Sequence, residues 1–205
     1  MELEYISIKT SGGFMYGGDQ KLFGSKVRKS GCGMIAACDM VLFLRCEKSL
    51  TFTEYTHFIE DVRDNDAYRK TSNPIGVSPF KVAQLINTRT ENHRFQFISR
   101  IFFGKKALGK FIEKSVAAGL PVIVRIGANG KKLPYSIVYP ASGGRSAAGT
   151  ITWHYVTVTG ISDSGMLTFS SWSGKGEMRL EDLHRYFGIT GGIITDRKYV
   201  KNFAK

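Results

Sequence analysis

The chain has 205 residues, with 42% hydrophobic and 22% charged, which suits a compact globular fold and excludes a disordered or fibrous chain. The formal charge is +12, but the cations are scattered in short doublets such as Lys105-Lys106 and Lys131-Lys132, with no nucleic-acid motif beside them. A generally basic surface that favours anionic partners is therefore expected, without specific nucleic-acid binding.

Residues 1–30 are glycine-rich and poorly periodic, and read as an extended approach to the first helix. Gly31-Cys32-Gly33 then opens the stretch Met34 to Leu44, apolar nearly all round and interrupted by Asp39. That pattern predicts a helix buried in the middle of the domain. The glycines on either side of Cys32 leave room for a close approach, here assigned to substrate. Thr51-Phe52-Thr53-Glu54 is a capping box that starts a second helix carrying Tyr55, Phe58, Ile59 and Val62 at helical spacing. Ser78-Pro79 starts a third. Phe95 and Phe97 alternate with polar residues and suggest a short strand. Lys105 to Ala118 reads as a helix stopped by Gly119.

The second half changes character. Val122 to Ile126 is β-branched and predicts a central strand. Residues 127–149 are rich in Gly, Ser, Ala and Lys and read as a long surface excursion. Thr150 to Ile161 and Met166 to Trp172 predict two strands joined by the turn Ser162 to Gly165. A short helix, Leu180 to Phe187, and a last strand at Ile193-Ile194 complete the chain. Helices first and antiparallel strands second indicate an α+β fold in one domain over 1–205, helical to about residue 118 and β-rich from about 119.

A thiol at a helix start meets the positive end of the backbone dipole, which favours the thiolate that catalysis needs. Cys32 is thus the candidate nucleophile, and Cys38 and Cys46 read as small buried hydrophobes. Of the four histidines, His57, His93 and His184 are most simply structural or solvated. His154 stands on a strong strand and shares a face with Val156 and Val158, where a histidine is either a satisfied core residue or a base looking across an interface. Histidine and cysteine spacings do not form a zinc pattern, so neither metal nor cofactor is expected.

These residues resemble a known family. Gly31-Cys32-Gly33 with Ala36, Met40 and Leu44 is similar to the nucleophile helix of the bacteriocin-processing (double-glycine) peptidase-like proteins, of the papain-like superfamily. Gly119-Leu120-Pro121-Val122 resembles their Gly-x-Pro-Val segment, and His154-Tyr155-Val156 their His-Tyr strand. Ser171-Trp172 followed by Gly174 resembles the Asn-Ser-Trp-Gly of papain. All four occur in the superfamily's order.

The resemblance implies a papain-like cysteine proteinase fold and an acyl-enzyme mechanism on a peptide or amide, with Cys32 as nucleophile and His154 as base. Ser170 stands where the family has the Asn or Asp that orients the histidine, with Asp163 as the alternative. Gln20 is the nearest glutamine for the oxyanion site, upstream of the usual position. Trp153 and Trp172 would flank the histidine, keep water from it and, with Gly31 and Gly33, bind substrate. A second reading is a catalytically degraded papain-like domain that binds a peptide or an anionic partner. The N-terminus lacks a secretory pattern, no apolar run suffices for a bilayer span, and three cysteines leave at least one free thiol, so a cytoplasmic location is expected.

Overall fold

The computed structural model describes residues 1–65, 77–90, 95–102, 105–127, 132–183 and 189–196. The chain is mixed α and β. It starts with strands β1 (Ser7–Thr10) and β2 (Gly13–Tyr16), a 3-10 turn (Gln20–Leu22), and helices α1 (Ser25–Ser30) and α2 (Cys32–Leu44). β3 (Ser49–Thr51) leads into α3 (Phe52–Asn65), and α4 (Pro79–Arg89), β4 (Phe95–Phe102) and α5 (Lys105–Ala117) follow. Then come β5 (Val122–Ile126), β6 (Leu133–Tyr139), β7 (Arg145–Ile151), β8 (His154–Ile161), β9 (Met166–Ser171), β10 (Gly174–Arg179), α6 (Leu180–Leu183) and β11 (Ile189–Asp196).

The helix starts follow their local chemistry. Glu54 accepts from the Thr51 N–H at 2.7 Å while the Glu54 N–H donates to the Thr51 hydroxyl at 3.3 Å, closing the capping box of α3. The Ser78 hydroxyl accepts from the Lys81 N–H ahead of Pro79 in α4. Gly119 ends α5 at φ +77°, a conformation that costs glycine little.

Among the described residues, eight strands form one antiparallel sheet in the order β4-β11-β5-β8-β9-β10-β6-β7. β5 and β8 lie inside it and divide two cores. Ile123 and Tyr155 join α2, α3 and α4 on one face, while Val122, Val124, Val156 and Val158 pack with α5 on the other. α2 is buried nearly all round, as its apolar sequence requires. Full burial of Met34, Met40 and Leu42 contributes roughly 1.5–3 kcal/mol each relative to exposure.

Three expectations are corrected. Residues 1–30 hold β1, β2 and α1 rather than an extended approach, and β1 sits between β2 and β3 in a small sheet of its own. With β4 in the large sheet as well, the helices-first order is only approximate. Residues 133–151 are not an irregular excursion but the hairpin β6–β7, whose outer strand is exposed from Arg145 to Thr150. The long strand expected over Thr150 to Ile161 breaks at Trp153, which takes φ +50° and makes His154 the first residue of β8. The last helix is described only over Leu180–Leu183, so His184 falls outside the described residues, as does His93 ahead of β4. Among the described residues, no helix is long and apolar enough to cross a membrane.

Candidate active site

α1 ends and α2 begins at one residue. The Gly31 N–H donates to the Val27 carbonyl at 2.7 Å, and the Gly31 carbonyl accepts from the Ile35 N–H at 2.9 Å. Cys32 therefore opens α2 directly after a sharp corner, half-buried against the start of β8. A side chain at Gly31 would meet the Val27 carbonyl at 2.5 Å, and one at Gly33 would meet the Tyr155 ring at 3.0 Å. The room beside Cys32 is thus filled by α1 and Tyr155. The assignment of Gly31 and Gly33 to substrate is corrected: they let α2 dock on its neighbours.

Cys32 and His154 line the same cavity, together with Gln20, Asp39, Thr157, Ser170, Ser171 and Trp172. His154 is buried, and its Nε2 is hydrogen-bonded to the Ser171 hydroxyl at 2.7 Å. The expected partner, Ser170, instead donates to the Tyr16 carbonyl at 2.9 Å. Successive strand residues face opposite ways, so only one of the two serines can point at the imidazole. Asp163 is excluded as well, since it lies in the exposed turn after β8, at the end remote from His154.

Trp172 covers the imidazole face, with ring centroids 4.3 Å apart and planes 24° from parallel. The turn from β9 to β10 aims it there. Trp172 and Ser173 take φ +48° and +61°, the two left-handed central residues of a tight hairpin. Trp153 does not share the shielding role. It is 50% exposed, and its ring carries the Arg125 guanidinium at 5.4 Å instead.

A strap after β2 closes the cavity floor. The Tyr16 N–H donates to the Ser173 carbonyl at 3.0 Å, the Ser173 N–H to the Gly18 carbonyl at 3.0 Å, and the Gly18 N–H to Asp39 Oδ2 at 3.0 Å. Gly17, at φ +71°, lies so close to Ser170 and Asp39 that no side chain fits. This strap delivers Gln20 to the cavity. One Gln20 amide N–H is committed to the Arg28 carbonyl at 2.8 Å, and its Oε1 is buried without a partner among the described residues.

No family model and no curated protein matches this chain.

The electrostatics of the site are set by burial. Burial pushes the Cys32 thiol above its ordinary value, outweighing the Tyr155 and Gly33 N–H groups and the Arg125 charge that favour thiolate. The dipole-based expectation of a depressed thiol is thereby corrected. Burial, helped by the Lys21 charge, pushes His154 down to about 3. The thiol and the imidazole that line this cavity both rest neutral.

Sequence reasoning passed over Asp39, whose signal was present: it is the lone charged residue in an apolar helix. Its carboxyl is buried, accepts from Gly18 and from the Tyr55 hydroxyl at 2.7 Å, and burial pushes it up to about 7. Ser171 and Arg125 were passed over too. Cys38 is buried as expected, but Cys46 is exposed, at φ +62° just past the end of α2. His57 is exposed on α3. Among the described residues, no three His, Cys, Asp or Glu side chains group to hold a metal ion.

Proposed function

We propose that this chain is a papain-like cysteine hydrolase that cleaves a peptide or amide bond through an acyl-enzyme. The observation that carries this reading is the convergence of Cys32, His154 and Gln20 on one cavity, with Ser171 and Trp172 fixing the imidazole. With its proton on Nε2, His154 donates to Ser171 and leaves Nδ1 as the proton acceptor. The thiol proton passes to Nδ1 as sulfur attacks the carbonyl carbon. The oxyanion takes hydrogen bonds from the Cys32 N–H and the second Gln20 amide N–H. The C–N bond then breaks, and the imidazolium proton goes to the leaving amine. Water, deprotonated by His154, attacks the thioester, releasing the acid and restoring the thiol.

The test uses p-nitrophenyl acetate as acyl donor, with adducts mapped by mass spectrometry. The expected result is a burst of nitrophenol with the acetyl group on Cys32, absent in Cys32→Ala. Gln20→Ala is expected to slow the burst about 10²-fold, the usual loss for one oxyanion donor. Acylation of the exposed Cys46 with none at Cys32 overturns the proposal.

The raised thiol and the serine hydroxyl in place of an amide or carboxylate favour a second reading, a degraded papain-like domain that binds a peptide or an anionic partner. A hydroxyl cannot offset the imidazolium charge as a carboxylate does. This reading predicts no burst at any pH.

A further inference from the structure

Arg125 is a charged residue near the nucleophile that the proposed reaction leaves unused. On β5 it stands directly across from Tyr155, whose ring packs against Gly33 next to Cys32 and whose N–H favours the Cys32 thiolate. Its guanidinium lies over two aromatic rings, 5.4 Å from the Trp153 centroid and 5.9 Å from that of Tyr155. These are the residues on either side of His154. The charge therefore lies on the Tyr155 side of β8, and the Cys32 thiol feels it.

The arginine is half-buried and makes no ion pair or hydrogen bond with any described residue. Arg89, Arg63 and Arg179 meet the carboxylates of Asp61, Asp64 and Glu181, and Arg28 and Arg45 donate to the Lys21 and Arg89 carbonyls. Cation–π contact holds the guanidinium plane but leaves its edge donors unspent. A planar fork of N–H donors in a partly desolvated place is matched by a carboxylate, which it binds bidentately. Trp153, exposed and held at φ +50°, forms one wall of that place and is available to the aliphatic part of the same ligand.

We propose that Arg125 reads a carboxylate on the acyl side of the substrate, so that the site takes acidic peptides in preference to neutral ones. This rests on Cys32 being the nucleophile. Lys21, whose Nζ lies 5.9 Å from the Trp172 ring, contributes less, because its charge is shared with Asp19 beside it.

The test compares two alkylating agents of nearly equal size, iodoacetate and iodoacetamide, on the full chain. In each, sulfur displaces iodide and the thiol proton leaves to base or solvent; only one carries a carboxylate. The measured quantity is the iodoacetate-to-iodoacetamide rate ratio at Cys32, divided by the same ratio for N-acetylcysteine amide. The expected value is about tenfold or more, as one charge-assisted bidentate contact supplies. Arg125→Gln is expected to return it to about one, Arg125→Lys to retain part of it, and Lys21→Gln to change it less than twofold. A ratio near one in the wild-type chain overturns the proposal without reference to any variant. So does a raised ratio that survives Arg125→Gln. If Cys32 reacts with neither agent, the nucleophile reading fails and takes this one with it, whereas ready iodoacetamide labelling with no anion preference removes this proposal alone.

Discussion

Replacing His154 by glutamine is expected to slow acylation of Cys32 by p-nitrophenyl acetate about 10²–10⁴-fold near neutral pH, the usual contribution of a positioned base. The pH profile is the sharper readout. Burial holds the thiol above its ordinary value and the imidazole at about 3, so across the neutral range both stay uncharged. Moving a proton from one neutral partner to the other exchanges none with solvent. The wild-type rate is therefore expected to be nearly flat from about pH 5 to pH 8. In His154→Gln the thiol must ionise alone, and the rate should rise about tenfold per pH unit toward the raised thiol pKa. A wild-type profile with that same slope would show that His154 takes no part in the proton transfer. Ser171→Ala is expected to keep the flat profile with a lower plateau, since it loosens the imidazole without removing it.

The second large effect concerns stability, because the cavity holds two buried groups whose titrations oppose one another. Asp39 is raised from 3.8 to about 7 in the folded chain, so between those values the native state binds more protons than the unfolded state. Stability contributed by this group is present at low pH and is lost as pH rises through the window, by about 4 kcal/mol at 1.36 kcal/mol per unit. His154 is lowered from 6.5 to about 3, so there the unfolded state binds the extra proton. Its contribution runs the other way: stability rises by about 5 kcal/mol as pH climbs from 3 to 6.5. In the wild-type chain the two slopes nearly cancel between pH 4 and 6.5.

The variants separate them. Asp39→Asn is expected to gain several kcal/mol of unfolding free energy between pH 3 and 6.5, and His154→Gln to lose a similar amount between pH 4 and 7. Urea unfolding at half-unit pH steps reads both slopes. If Asp39→Asn follows the wild-type curve, Asp39 does not titrate in this window and the account of the cavity floor is wrong. Asp39→Ala is the harsher change. It strands the Gly18 N–H and the Tyr55 hydroxyl without an acceptor, and about 2–4 kcal/mol of destabilisation is expected at pH 5.

Much of this was legible in the chain itself. The apolar run after Cys32 marked a helix buried on all sides, and the capping residues Thr51, Glu54 and Ser78 marked where two more begin, because those signals act within four residues. The same locality explains the misses. The hairpin β6–β7 carries exposed Ser, Ala and Gly in its outer strand, so no alternation betrays it, and only pairing with β6 makes it a strand. The break at Trp153 is a backbone reversal inside an apolar run, invisible to hydropathy.

The sequence by itself determined the mixed α and β character, the burial of α2 and the presence of Cys32 at its first turn, since each follows from spacing along one segment. Which serine meets His154 was decided by tertiary structure alone. The choice between Ser170 and Ser171 turns on the pleat of β9 relative to β8, and a one-residue shift in register exchanges them. The sign of the Cys32 shift was decided there too. The helix start favours thiolate, but burial against Tyr155 of β8 depends on contacts more than 100 residues away in the chain, and in this fold burial is the larger effect.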